Sequence, residues 1–112
     1  MAAEDSVRRG QVWLVSFDSA LGGEVHKTRP ALVISNDAAN EALNRVQVVP
    51  MSSQVAMLYP AEAYVTLRGE RRKAMADQIT TASKRRLHRL VGILGADDLD
   101  AVARVVRLQL GL

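Results

Sequence analysis

The sequence predicts a mainly β fold with α, in which a small antiparallel, barrel-like sheet packs against one C-terminal helix. Six or so short apolar or alternating stretches are separated by Gly, Pro and polar turns, which is typical of antiparallel sheets. The end of the chain instead repeats apolar residues at helical spacing. The length of 112 residues suffices for one hydrophobic core. We therefore expect a flexible tail at residues 1–7 and a single domain over residues 8–112.

Three strands are predicted in the first half of the chain, at residues 11–17, 30–35 and 45–51. The first strand alternates, but both of its faces are largely apolar, which predicts burial on both sides. The second starts with Pro30, whose missing N–H suits the first position of a strand. A long loop is expected before it, at residues 18–27, and a helical turn capped by Asn36 or Asp37 after it, within residues 36–44.

The second half predicts three more strands, at residues 62–67, 73–80 and 90–94. A turn at residues 69–72 should join the first two of these as a hairpin, and Ser83 should cap a short basic helix at residues 84–87. The terminal helix should begin at Asp97, a good N-cap residue. Its apolar stripe consists of Leu99, Val102, Ala103, Val106 and Leu110.

Positive charge is concentrated in residues 68–89. This segment holds eight Lys and Arg residues against Glu70 and Asp77, a local charge of +6 in a chain whose net charge is +3. A clustered basic surface favours a polyanion partner, because phosphate binding releases counterions. The alternative is a solvated surface that keeps the protein soluble.

The composition excludes several classes of protein. The chain has no cysteine, so disulfides and thiolate chemistry are absent, which fits a reducing cytoplasm. Its N-terminus lacks the apolar core of a signal peptide, and no apolar run approaches the roughly 20 residues of a membrane helix. Two histidines that lie far apart make no credible zinc site, and no nucleotide-binding glycine motif is present. We expect a cytoplasmic protein without a metal or other cofactor, and without membrane contact.

Two predicted strand ends carry groups that bind phosphate. Arg29 directly precedes the apolar strand that starts at Pro30, so its guanidinium can be aimed from a rigid element. Ser52 and Ser53 follow the next strand and place hydroxyls at its end. If these two ends meet, they make a phosphate site.

The chain resembles the MazF/PemK (Kid) family of toxin endoribonucleases over about residues 8–110. Each matching segment is short, and the ordered set is what makes the resemblance specific. The segments are Arg9-Gly10-Gln11-Val12-Trp13-Leu14-Val15, Gly23 and Glu24 followed by Arg29 and Pro30, Ser35-Asn36-Asp37 with Asn40, Val49-Pro50-Met51-Ser52-Ser53, Tyr59-Pro60, Ala76-Asp77-Gln78-Ile79, Val91-Gly92 and the terminal helix.

The resemblance implies an SH3-like barrel, the plasmid-maintenance-toxin fold. It also implies a homodimer that cuts single-stranded RNA at short sequences without a metal ion. A cognate antitoxin would neutralise it by laying an acidic, disordered tail across the RNA groove. The catalytic arginine of the family falls on Arg29 and its catalytic threonine on Ser52.

Asp77 matches an acidic residue that Kid-like members use in catalysis. Met75 replaces the arginine that accompanies it there, and Gly23 replaces a loop histidine. We therefore expect Asp77, together with Glu24, to play a supporting role.

RNA cleavage through the 2′-hydroxyl, which leaves 2′,3′-cyclic phosphate and 5′-hydroxyl ends, needs charge stabilisation at the phosphorane and two proton transfers. Arg29 suits charge stabilisation, because a guanidinium carries a fixed positive charge and is therefore a poor base. The base is left open. A structural alternative for Arg29 is an ion pair with Glu24 or Asp77. The structural alternative for Ser52 is a hydroxyl that makes a local hydrogen bond in a turn. Ser53 is then the other candidate for the active hydroxyl.

Six further residues are candidate RNA contacts: His26, Lys27, Thr28, Ser53, Gln54 and Gln78. Two other functions compete with the nuclease. One is a non-enzymatic, CcdB-like toxin on the same fold that binds gyrase through its C-terminal helix. The other is a plain RNA-binding barrel that uses the basic segment at residues 68–89.

Overall fold

The computed structural model describes residues 7–17 and 27–112. Its seven strands are β1 (Gln11–Phe17), β2 (Lys27–Val33), β3 (Arg45–Ser52), β4 (Glu62–Leu67), β5 (Glu70–Met75), β6 (Thr80–Ser83) and β7 (Leu87–Ile93). The helices are α1 (Asp37–Ala42) and α2 (Ala96–Leu110), and single 3₁₀ turns lie at Ala76–Gln78 and Lys84–Arg86. No helix in the described ranges is long and apolar enough to cross a membrane.

The strands form one antiparallel sheet in the order β4-β5-β3-β2-β1-β7, with β6 beside β5 along the same edge of β3. The predicted mainly β fold with a C-terminal helix is confirmed. In the described part of the chain, strand pairing ends at β4 and β7, so the sheet is open. Its two edge strands meet through side-chain packing, because a Cβ on Gly92 of β7 would come within 2.7 Å of Leu67 in β4.

The central strands are buried on both faces, as predicted for β1. Val12 and Leu32 belong to a cluster on one face, which α2 covers through Val102. Trp13 and Val15 belong to a second cluster on the other face. Val7 is also buried in this second cluster, so the packed part of the chain includes at least one residue of the predicted tail.

Strand β2 begins at Lys27, so the prediction that Pro30 opens the strand is wrong. The segment before Pro30 pairs with β1, with Phe17 facing Lys27 and Val15 facing Arg29. The ladder with β3 starts only at Ala31, one residue after the proline that cannot donate to it. Arg29 therefore lies within a strand, on the part that extends beyond the β2–β3 ladder.

The single strand predicted at residues 73–80 is wrong. The structure has β5 up to Met75, the 3₁₀ turn Ala76–Gln78, and then β6. The turn redirects the chain because β5 and β6 pair with opposite ends of β3.

The β4–β5 hairpin turns at Arg68-Gly69, not at residues 69–72. Both turn residues have positive φ, 52° and 81°, which is the geometry of a two-residue type I′ loop. The last strand starts at Leu87 rather than at residue 90.

Helix α2 is capped at Gly95 rather than at Asp97, since the Leu99 N–H donates to the Gly95 carbonyl at 3.0 Å. Asp98 accepts from the Thr66 backbone N–H at 2.8 Å, which ties the start of the helix to β4. Most of the predicted apolar stripe packs on the sheet, but Leu110 is exposed. The Asn36 cap of α1 and the Ser83 cap of the turn at Lys84–Arg86 are confirmed.

Asp37, in the first turn of α1, predicts a pH-dependent contribution to stability. A hydrogen bond of 2.7 Å from the Arg9 backbone N–H is the main cause that lowers the pKa of Asp37 below its ordinary value of 3.8. Because the folded state favours the ionised form, the stabilisation is present above pH 3.8 and is lost as the pH falls through the folded pKa. We expect Asp37→Asn to lower the urea midpoint at pH 7.

The loss of stability in Asp37→Asn should shrink as the pH is lowered below 3.8. Asp97→Asn is the control, because Asp97 lies in the first turn of α2 but accepts no hydrogen bond within the described residues. A pH-independent deficit in Asp37→Asn would contradict this account.

Candidate active site

The end of β3 lies between two other strands. On one side, Ala31 of β2 faces Pro50, so continuing the register places Arg29 opposite Ser52. On the other side, Ser52 pairs with Lys73 of β5. The sheet therefore brings a guanidinium from one neighbouring strand towards a hydroxyl on the central strand.

A pocket of about 310 Å³ opens at this junction. It is lined by Thr28, Arg29, Pro30, Met51, Ser52, Ser53, Gln54 and Arg72. Five of these residues are candidates from the sequence, namely Thr28, Arg29, Ser52, Ser53 and Gln54. The segments that carry Arg29 and Ser52 do meet, although Arg29 lies within β2 and not at its end.

Arg29 is half-buried and has no acceptor for its guanidinium among the described residues. The alternative ion pair with Asp77 is not formed. The other alternative partner, Glu24, lies outside the described residues, as does the candidate RNA contact His26. The planar N–H donors of Arg29 are thus available to an anion in the pocket.

Ser52 makes the local turn bond that is the structural alternative to its functional role. Its Oγ accepts from the Gln54 backbone N–H at 3.0 Å. A hydroxyl that accepts in this way keeps its own proton free to donate, so the turn bond orients Ser52 without occupying its donor. Ser53 is exposed and has no such restraint within the described segments.

Arg72 belongs to the predicted basic segment at residues 68–89, but it was not among the residues predicted for this site. Its Nη2 lies 3.4 Å from Glu70 Oε1, and the two side chains are 25% and 73% exposed. Because Lys73 pairs with Ser52, Arg72 is the next residue of β5 beyond that pair. Only the β3–β5 register could have identified it, and no local pattern gives that register.

Of the predicted residues whose side chains the structure describes, two lie outside the pocket. Asp77 and Gln78 belong to the 3₁₀ turn after β5, and both are exposed. Asp77 lines a separate pocket of about 320 Å³ beside Glu62, and Gln78 contacts Met75 Sδ at 3.6 Å. Lys27 is in β2 opposite Phe17. Among the residues that the structure describes, no three of His, Cys, Asp and Glu gather as metal ligands.

The basic segment at residues 68–89 is not one continuous charged surface, because two of its lysines are buried. Lys73 pairs with the buried Glu62 at 2.9 Å, and Lys84 donates to the Asn40 carbonyl of α1 at 2.5 Å. These two charges stabilise the fold and are withdrawn from the surface that could meet a polyanion.

The loop that follows β3 is held to the β4–β5 hairpin on the side of Ser52. The Tyr64 hydroxyl donates to the Val55 carbonyl at 2.8 Å, and Lys73 Nζ donates to the Met57 carbonyl at 2.9 Å. Glu62 accepts from the Tyr59 N–H at 2.9 Å. The rim of the pocket is therefore anchored in the buried part of the hairpin.

Comparisons with known proteins agree with this fold. A relative, the endoribonuclease MazF9 of Mycobacterium tuberculosis, is 36% identical over 95% of this chain and 98% of its own length. The crystal structure of MazF from Deinococcus radiodurans superposes with a TM-score of 0.80 at 27% identity, covering 95% of this chain and 97% of the other. A MazE–MazF structure from the same organism superposes with a TM-score of 0.80 at 27% identity, covering 95% of this chain and 96% of the other.

The family model for PemK-like, MazF-like toxins of type II toxin–antitoxin systems matches residues 8–110, which is nearly the whole chain. Two of the matching segments carry pocket residues, since Arg29-Pro30 lies in β2 and Met51-Ser52 ends β3, and the matching terminal helix is α2, which covers the core. The chain therefore belongs to the family of PemK-like, MazF-like toxins.

Proposed function

We propose that this MazF-type toxin endoribonuclease cleaves single-stranded RNA in the pocket between β2, β3 and β5. The reaction is attack by the 2′-hydroxyl on the adjacent phosphodiester, which yields 2′,3′-cyclic phosphate and 5′-hydroxyl ends and needs no metal ion. The observation that carries the proposal is that Arg29 and Ser52 line one pocket, each with hydrogen-bond donors available.

Arg29 stabilises the charge that develops on the phosphorane. Its guanidinium can bind two non-bridging oxygens at once, and it has no competing acceptor in the described part of the chain. Its position within β2 fixes the backbone from which the side chain extends. A preorganised cation of this kind is more effective than one that must first be drawn from solvent.

Ser52 donates its hydroxyl proton to a phosphate oxygen. The hydrogen bond from the Gln54 backbone N–H holds the Ser52 Oγ in place. This restraint favours Ser52 over Ser53 as the active hydroxyl. Thr28, Ser53 and Gln54 supply further polar groups at the rim, where they can contact the sugar or the bases. Single-stranded RNA suits this arrangement because its backbone and base edges are both accessible.

The proposed antitoxin partner is supported by the positive charge of the pocket and by a structural neighbour that was solved as a complex. One structural neighbour is a MazE–MazF complex, and this chain would likewise bind a cognate antitoxin. An acidic, disordered tail would compete with RNA because the described residues that line the pocket include two arginines and no carboxylate. We further propose that the toxin acts as a homodimer in the cytoplasm.

The CcdB-like, gyrase-binding alternative is not favoured, since the relatives are named endoribonucleases. It also leaves the pocket at the end of β3 without a role, together with Arg29, which has no partner among the described residues.

Incubating the purified protein with one long, defined single-stranded RNA should generate new 5′-hydroxyl ends at discrete sites. The rate should be the same with excess EDTA, because charge stabilisation comes from the chain itself. Mapping the ends by ligation-dependent sequencing checks both points. A substrate with 2′-deoxyribose on the 5′ side of a mapped site removes the nucleophile and should resist cleavage there. Cleavage of that linkage, or loss of activity in EDTA, would contradict the proposed chemistry.

A further inference from the structure

We propose that Arg72 binds a second phosphate of the RNA, next to the phosphodiester that is cut. This inference rests on the proposed function of the pocket and adds a residue to it. Arg72 lines the same pocket as Arg29 and Ser52, but it comes from β5 instead of β2. The pocket thus contains two guanidinium groups, one from each strand that flanks β3.

The spacing of the strands separates the two cations. Neighbouring strands lie about 4.8 Å apart, so the backbones on either side of β3 are about 10 Å apart. Guanidinium groups that extend from backbones at this distance can contact neighbouring phosphates of one RNA strand. Continuing the β2–β3 register places Arg29 opposite Ser52, where the reaction is proposed, whereas Arg72 lies one residue beyond the Ser52–Lys73 pair.

Arg72 is the one available cation in a run of three basic residues. Arg71 stacks on the Tyr64 ring at 4.6 Å, and Lys73 is buried in its ion pair with Glu62. In the described part of the chain, Arg72 contacts only Glu70, at 3.4 Å in an exposed pair. Exposed ion pairs of this geometry are weak, so a phosphate can displace the Glu70 carboxylate.

A cation that holds a neighbouring phosphate affects binding more than chemistry. Arg72 interacts equally with the ground state and the transition state, because the charge on its phosphate does not change during the reaction. Its removal should therefore raise KM and reduce the salt dependence of binding, with little effect on kcat.

The experiment compares wild-type protein, Arg72→Ala, Arg72→Lys and the control Arg45→Ala on a short RNA that contains one mapped site. Arg45 is exposed and lies at the opposite end of β3 from Ser52. We expect KM to rise about tenfold in Arg72→Ala, with the salt slope reduced by about 0.7. The kcat should stay within about twofold. Arg72→Lys should recover most of the salt slope, and Arg45→Ala should match the wild type.

A neutral methylphosphonate, placed at the linkage on either side of the scissile one, identifies the contacted phosphate. Wild type and Arg72→Ala should become equal on one of these two RNAs. An unchanged KM and salt slope in Arg72→Ala overturns the inference, as does a KM difference that persists on both modified RNAs. If the wild-type protein does not cleave RNA at all, the proposed function fails, whereas normal cleavage by Arg72→Ala at wild-type KM removes only the role of Arg72.

Discussion

Replacing Arg29 by alanine is expected to reduce kcat for RNA cleavage by about 10³-fold or more, while the protein remains folded. Removing a preorganised donor from an oxyanion site costs about 10²–10³ in rate, and removing an arginine that stabilises a phosphoryl transition state costs about 10³–10⁵. The fold should tolerate the change because Arg29 makes no described hydrogen bond or ion pair. Single-turnover cleavage of a defined RNA measures the loss.

The matched variants separate charge from geometry. Arg29→Lys keeps the positive charge but loses the planar fork, so its rate should lie between those of the wild type and Arg29→Ala. Arg45→Ala removes an arginine from the far end of β3, about 23 Å along the strand, and should leave the rate unchanged. Near-full activity in Arg29→Ala, with an unaltered melting temperature, would remove Arg29 from the mechanism.

The strands that carry Arg29 and Ser52 could be predicted because each follows from a local pattern, although β2 begins two residues before Arg29. The continuous apolar run from Ala31 to Ile34 marks a strand buried on both faces, and so does the stretch that ends in Ser52. Their convergence is not local, but antiparallel strands that are adjacent in sequence commonly pair. The site could thus be proposed from position alone, before any register was known.

What could not be predicted depends on pairing between distant segments. The alternation of residues 73–80 continues through Ala76–Gln78, although the chain turns there to reach the other end of β3. Arg72 joins the pocket only through the β3–β5 register. Nothing in the local sequence distinguishes it from Arg71, which stacks on Tyr64.

Lys73 was counted as part of a basic surface, but its side chain is buried in an ion pair. Composition alone does not show whether a charged side chain faces solvent or another residue. In the β4–β5 hairpin, Glu62 pairs with Met75 and Tyr64 with Lys73, so Glu62 and Lys73 are diagonal neighbours across the two strands. Diagonal pairs of long side chains can meet, and burial of this pair removes it from the basic surface. The local charge therefore overstates what the segment can offer to RNA.

Replacing Lys73 by methionine is expected to lower the free energy of unfolding by about 3–5 kcal/mol, because the buried Glu62 carboxylate would lose its counter-ion. Lys73 and Glu62 are 6% and 8% exposed, and Lys73 also donates to the Met57 carbonyl. Urea unfolding at pH 7 measures the loss. Arg72→Ala is the adjacent control, since its ion pair is exposed and its removal should change stability by no more than about 0.5–1 kcal/mol.

The double variant Glu62→Leu/Lys73→Met distinguishes an unpaired charge from lost packing. If the unpaired carboxylate causes the destabilisation, removing both charges should recover most of it, since a buried ion pair replaced by apolar groups of similar volume is often neutral. A double variant as unstable as Lys73→Met would instead assign the loss to the bonds that anchor Met57 and Tyr59. These bonds hold the loop that follows Ser52. A double variant that regains its stability therefore tests whether the buried pair also positions this loop for cleavage. Normal folding with impaired cleavage would show that the buried pair orients the rim of the pocket.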